Sequence, residues 1–164
     1  MVVEHGQEYI KVLIADDDEH VLECYRDAFL EEEPTSHMRA IDALSAELFD
    51  PEVDIVDKPK FTIVACNQGN DAISLARTAA DEGEPFDVVI LDVRMPPGID
   101  GVEAGSRIRE LDPDVEIVFV TGYSDVPLDE LQRRVPPPIK LHYFNKPLSF
   151  SQLAEDVATM IGSN

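Results

Sequence analysis

Four polar sites in this chain each follow closely on a short apolar run. Asp16, Asp17 and Asp18 come after Ile10–Ala15, Asp92 after Val88–Leu91, Thr121 after Glu116–Val120, and Lys146 shortly after Leu141–Phe144. Taken singly, each has an ordinary explanation: an Asp caps a turn, a Thr favours a strand, a Lys is solvated. Brought together, they could do phosphoryl chemistry. Carboxylates crowded into one place repel and resist ionising unless a cation joins them. A hard divalent ion with oxygen ligands, Mg²⁺ first of all, meets that need. One carboxylate could then act as nucleophile toward a phosphoryl group, whose oxygens the metal, a hydroxyl and an ammonium would share.

The elements that must bring them together alternate strand and helix. Apolar runs predict strands over Ile10–Ala15, Phe61–Cys66, Phe86–Leu91, Glu116–Val120 and Leu141–Phe144. The third, with continuous rather than alternating apolar residues, has the pattern of a strand buried on both faces. Helical spacing predicts helices over Glu19–Leu30, Asn70–Asp81 (ended by Gly83), Val102–Leu111 (stopped by Asp112-Pro113) and, more weakly, Asp125–Val135 before Pro136-Pro137-Pro138. A last helix carries Leu153, Val157, Met160 and Ile161, with Ser149 or Ser151 as its cap. Strands alternating with helices imply an α/β fold: a flavodoxin-like, doubly wound, five-stranded parallel sheet of order 2-1-3-4-5, with helices on both faces. Ligands of such sheets gather at the carboxyl ends of strands. There Asp16, Asp17, Asp92, Thr121 and Lys146 would meet.

One domain is expected over residues 8–162, with an acidic, partly helical insertion at about 31–60. Arg39–Phe49 can form a short amphipathic helix with Ile41, Leu44, Leu48 and Phe49 on one side, and Asp50–Pro59 reads as a loop. The segment is expected to cover a domain edge; a partner-binding helix is the sharper alternative.

Composition narrows the function. The 164 residues, 44% of them apolar, suffice for one domain with a real core. With 34 acidic and 13 basic residues the formal charge is −21, which opposes binding of nucleic acid or an anionic membrane and suits a cation or a basic partner. No apolar run reaches membrane-spanning length and Met1–His5 has no signal-peptide pattern, so a cytoplasmic setting is expected. Cys24 and Cys66 read as buried thiols of a reducing compartment, and the scattered His5, His20, His37 and His142 offer no zinc site.

The motifs Val12-Leu13-Ile14-Ala15-Asp16-Asp17-Asp18, Ile90-Leu91-Asp92-Val93-Arg94-Met95-Pro96, Val120-Thr121-Gly122 and Tyr143-Phe144-Asn145-Lys146-Pro147 are together highly specific. Through them the chain resembles the receiver domain of bacterial response regulators, from about Val12 to Met160 apart from Glu31–Lys60. The resemblance implies Asp92 as phosphoacceptor and Asp17 as direct Mg²⁺ ligand. Asp16 would hold the ion largely through water, and the backbone carbonyl of Arg94 would complete the protein ligands. Thr121 would be the hydroxyl that moves toward the phosphoryl group, Lys146 the phosphate-binding lysine with a cis bond to Pro147, and Tyr143 an aromatic switch. A static, half-buried strand aromatic is the alternative for Tyr143.

The function so implied is a switch in a two-component phosphorelay. A histidine kinase or phosphotransfer protein would supply the phosphoryl group in the presence of Mg²⁺, with Mn²⁺ able to take its place. The chain would be no enzyme beyond its own phosphorylation and dephosphorylation, and the modification would change the surface of the fourth and fifth strand–helix units. An output domain C-terminal to this chain and a homodimer are compatible with the resemblance.

The chain also departs from the pattern. The separation between Asp17 and Asp92 exceeds that of compact members, and Pro96–Gly101 has one residue more than the common turn. With Tyr123-Ser124-Asp125, these features look like a receiver subgroup attached to cyclic-dinucleotide enzymes or histidine kinases. Arg94 and Tyr123, two residues beyond Asp92 and Thr121, are bulky enough to obstruct an attacking water, which predicts slow loss of phosphate. A phosphohydrolase with an aspartyl nucleophile is the alternative reading, but it wants an Asp where Arg94 stands. A flavin-binding domain would want a Ser/Thr/Gly loop where three aspartates stand. A pseudo-receiver acting by contact alone would not need so complete a site.

Overall fold

The computed structural model describes residues 9–30, 59–122 and 126–162. The expected helix at Arg39–Phe49, most of the insertion and Tyr123 lie outside the described residues. Five parallel strands, β1 (Tyr9–Ala15), β2 (Lys60–Cys66), β3 (Val88–Asp92), β4 (Glu116–Thr121) and β5 (Leu141–Asn145), lie in the order 2-1-3-4-5. Among the described residues the helices are α1 (Glu19–Phe29), α2 (Gly69–Asp81), α3 (Gly101–Leu111), α4 (Leu128–Arg134) and α5 (Phe150–Gly162).

Alternation along each strand divides the core in two. Leu13, Val89, Leu91, Ile117 and Phe119 face one side, with Ala72, Val102, Ile108 and Leu131 of α2, α3 and α4. Val12, Ile14, Ile90, Val118 and Val120 face the other, with Leu22 and Tyr25 of α1 and Leu153 and Val157 of α5. The expected doubly wound fold is therefore observed, with β3 central and buried at every residue.

Three element boundaries differ for identifiable reasons. β3 begins at Val88 rather than Phe86, because Asp87 closes the sheet instead. Its carboxylate and its N–H engage the Lys11 backbone, and its carbonyl accepts from Glu116 N–H. β3 also runs one residue further and ends on Asp92 itself. α4 starts at Leu128, not Asp125, because Pro127 holds an extended N-cap conformation and proline cannot occupy a helix interior. Ser149, not Ser151, caps α5, its hydroxyl accepting from Gln152 N–H at 3.2 Å. Cys24 is exposed on α1, not buried as expected. Cys66 is half-buried, and burial pushes its thiol pKa up to about 11.

The amino ends of β4 and β5 are pinned by buried charge. Arg109 of α3 donates to the carbonyls of Pro113, Val115 and Lys140. Glu116 lies 2.9 Å from His142 Nε2 and accepts from Lys140 Nζ at 3.4 Å. The sheet is thus anchored at the end opposite the acidic residues.

Ile90, fully buried between Ile14 and Val118, should cost about 2–5 kcal/mol when cut to Ala, whereas Ile139→Ala, at a residue 83% exposed, should change stability by no more than about 0.5 kcal/mol. Urea denaturation of the two variants checks the contrast.

Candidate functional site

Strand register sets the site. Ala15 is level with Cys66 on β2 and Leu91 on β3, so Asp16 leaves β1 beside Asp92. The Asp16 N–H donates to the Cys66 carbonyl at 3.2 Å, and the Asp16 carboxylate, 1% exposed as a residue, accepts from Asp18 N–H at 3.0 Å. Asp18 in turn caps α1 by accepting from His20 N–H at 2.9 Å. Asp17, between them, is left exposed at the rim.

β5 brings the lysine. The Lys146 N–H donates to the Thr121 carbonyl at 2.7 Å, and the Lys146–Pro147 peptide is cis, as the resemblance implied. Lys146 Nζ then donates to Asp16 Oδ2 at 2.9 Å and to Asp92 Oδ2 at 3.5 Å. Asp92 Oδ1 accepts from the Arg94 N–H at 3.3 Å. Asp17, Asp92, Arg94, Pro96, Thr121, Gly122 and Lys146 line one open cleft. Tyr143 is half-buried and packs on the α2–α4 side of the sheet, the side that Phe119 and Thr121 also face. Asp16, Asp17, Asp92, Arg94, Thr121 and Lys146 therefore lie at one edge of the sheet, while Tyr143 sits inside it, level with Phe119 and outside the residues that line the cleft.

Electrostatics mark Asp92. Burial lifts its pKa above the ordinary carboxylate value, and the charges of Asp16 and Asp17 add to the rise, while Lys146 and the Arg94 N–H pull against it. Burial alone would lower the Lys146 pKa, but its hydrogen bond to Asp16 and the charges of Asp16 and Asp92 outweigh that and leave it raised. Oxygens of Asp16, Asp17 and Asp92 all lie within 4.8 Å of one another. Three hard anionic donors against one ammonium form a set that suits Mg²⁺.

Glycine placement is what sequence reading missed. The α3 N-terminus, capped by Asp100 accepting from Glu103 N–H at 2.7 Å, presses on the strand that ends in Asp92. A Cβ on Gly101 would fall 1.9 Å from the Asp92 carbonyl oxygen. The sequence signal was a glycine at the first position of a helix, where almost any other residue would serve.

The response regulator receiver domain family model matches residues 52–158. The chain belongs to that family. The matched span contains Asp92, Thr121 and Lys146, while β1, with Asp16 and Asp17 following it, precedes the span and joins the same sheet. Among curated relatives, the chain is similar to the sensor kinase CckA of Brucella abortus (31% identical over 101 residues, 62% of this chain and 10% of that protein). It is likewise similar to the response regulator receiver protein CpdR of the same organism, 33% identical over 78 residues (48% of this chain, 62% of that protein). The matches thus span from a tenth to about three-fifths of those relatives' lengths. Among solved structures, a response regulator receiver protein from Sinorhizobium medicae shares the fold at TM-score 0.62 and 22% identity, over 95% of this chain and 97% of that one. So does a chain of the CheX–CheY–BeF₃–Mg complex of Borrelia burgdorferi, at TM-score 0.62 and 17% identity, over 93% of this chain and 89% of that one. Receiver domains are phosphoaccepting signalling switches of two-component systems that bind Mg²⁺ at an acidic pocket. Among the described residues no helix is long and apolar enough to cross a membrane.

Two outcomes test this geometry. Gly101→Ala must displace the Asp92–Val93 peptide, and should cost about 1–3 kcal/mol in urea denaturation. The raised Asp92 pKa means that the folded state favours the protonated carboxyl. Its contribution to stability is present below the unfolded carboxylate pKa and is lost as pH rises through the folded value. Without divalent cation, Asp92→Asn should therefore be more stable than the natural chain at neutral pH. The gap should close in acid, below the ordinary carboxylate pKa, as thermal melting across pH will show.

Proposed function

We propose that residues 8–162 form a phosphoaccepting switch, with the segment at about 31–60 inserted after α1, and that Asp92 is the acceptor. The carrying observation is the meeting of Asp92 with Asp16 and Lys146 at the carboxyl edge of the sheet, Lys146 Nζ lying 2.9 Å from one carboxylate and 3.5 Å from the other.

In the transfer, an Asp92 carboxylate oxygen forms a bond to phosphorus as the bond from phosphorus to the donor histidine nitrogen breaks. The electron pair stays on that nitrogen. Asp16, Asp17, Asp92 and the Arg94 carbonyl are the groups that would hold Mg²⁺, which when bound offsets charge on the transferring phosphoryl oxygens. Lys146 supplies an ammonium beside the acceptor, held there by its bonds to Asp16 and Asp92. Thr121, 3% exposed at the cleft wall, offers a hydroxyl to the new oxygens. Its movement would free space for Tyr143, and the surface of α4, β5 and α5 would change with it. The amino ends of β4 and β5, tied through Arg109 and Glu116, would stay in place, so the change is confined to the phosphoryl end. Arg94, which lines the cleft, would slow water's approach to the phosphoryl group, and the same role is proposed for Tyr123, which lies outside the described residues.

The phosphoryl donor in this reading is a histidine kinase or histidine phosphotransfer protein, in a cytoplasmic setting. An output domain beyond this chain and a homodimer fit the same scheme, and Mn²⁺ is a second metal that the oxygen donors would accept. A phosphohydrolase would want an acid where Arg94 stands.

Incubation with Mg²⁺ and acetyl phosphate, followed by intact mass, tests the assignment. The natural chain should gain one phosphoryl group and Asp92→Asn none. Lys146→Ala should slow uptake roughly tenfold, as expected for losing a charge-assisted hydrogen bond. Thr121→Ala should keep uptake while losing the change in hydrogen exchange across β5. Uptake by Asp92→Asn equal to that of the natural chain would refute Asp92 as the acceptor.

A further inference from the structure

The corner between β2 and α2 touches both halves of the acidic site without lining the cleft. On one side, the Cys66 carbonyl accepts the Asp16 N–H at 3.2 Å, and Cys66 Sγ donates to the Gln68 carbonyl at 3.7 Å. On the other side, Gln68 Nε2 donates to the Pro96 carbonyl at 3.3 Å. Gln68 Oε1 lies so near Gly98 that a Cβ there would fall 2.6 Å from it. Gly69, buried at the first turn of α2, leaves the room that Ile99 fills: a Cβ on Gly69 would sit 2.8 Å from Ile99 Cγ1 and 3.2 Å from its carbonyl oxygen. Pro96, Gly98 and Ile99 are thus all seated on two residues of this corner. Pro96 and Arg94 are in turn walls of the cleft that holds Asp92.

We infer that Gln68 is a positioning residue that latches the Pro96–Ile99 segment as a wall of the phosphoryl site, and so sets how long a phosphoryl group on Asp92 survives. The inference rests on Asp92 being the acceptor. In the step concerned, a water oxygen bonds to phosphorus and the bond between phosphorus and the Asp92 oxygen breaks. The carboxylate leaves with the electron pair, and the protons of the water remain with orthophosphate and solvent. A latched wall restricts the water's approach to phosphorus, and an unlatched one admits it.

Two substitutions strike the latch from opposite sides. Gln68→Ala removes the donor. Gly98→Ala pushes the Gln68 amide away, and its backbone admits the change because, among the described glycines, only Gly83 has positive φ. The full chain and its variants, phosphorylated with acetyl phosphate in Mg²⁺ and freed of donor, are followed by intact mass as phosphate is lost. Each single variant should lose phosphate about fivefold faster than the natural chain, the factor that one net hydrogen bond commands. The double variant should be no faster than either single one, since both remove the same contact. Melting temperatures should fall by no more than about 2–4 °C, the loss that one hydrogen bond explains, whereas a general loosening would lower them further. A natural chain that is phosphorylated, with variants that lose phosphate at its rate or with additive effects, overturns this inference alone. A natural chain that takes up no phosphoryl group overturns the proposed function and this inference with it.

Discussion

Two aspartates, Asp16 and Asp92, are held almost out of water within reach of a single ammonium, and the rest of the molecule answers to that constraint. Burial penalises the ionised form of Asp92, and its acidic neighbours penalise it further. Lys146 relieves part of the cost, but one cation faces three carboxylates. The residual charge is what gives the pocket its appetite for a small, hard cation and for the phosphoryl oxygens that such a cation can share.

The fold supplies this arrangement with little freedom. Parallel register brings the carboxyl ends of β1, β3, β4 and β5 level, so that one residue of slip would turn Asp92 or Thr121 to the wrong face. The backbone bond from Lys146 to Thr121 couples β5 to β4 at the phosphoryl end. At the far end, Arg109 and Glu116 pin the same two strands with buried polar contacts. A pair of strands fixed at one end and carrying a threonine and a tyrosine near the other is a suitable transmitter: change at the site can move side chains without moving the sheet.

Much of this was legible because it is local. Unbroken apolar runs at Val12–Ala15 and Val88–Leu91 marked strands, and acidic residues straight after them marked strand ends. Alternation of strand and helix gave a parallel sheet, the flavodoxin-like order placed the strand ends together, and the roles of the site residues came from the resemblance of the motifs. What escaped reading depends on neighbours distant in sequence. Asp87 closes the sheet through the Lys11 backbone, which no pattern around residue 87 discloses. The exposure of Cys24 depends on which face of α1 meets the core. Gly69, Gly98 and Gly101 matter for the side chain they lack, and the close approach that forbids one exists only after folding. Pro127 was legible in principle, since a proline inside a predicted helix fixes where that helix begins.

The most direct measurement is anomalous diffraction from crystals grown with Mn²⁺ and a beryllofluoride phosphoryl mimic. One manganese peak ligated by oxygens of Asp17 and Asp92, with Asp16 in its immediate surroundings and the mimic on Asp92, is the result that the acidic pocket predicts. Manganese bound elsewhere on the chain, or a mimic attached away from Asp92, would contradict it.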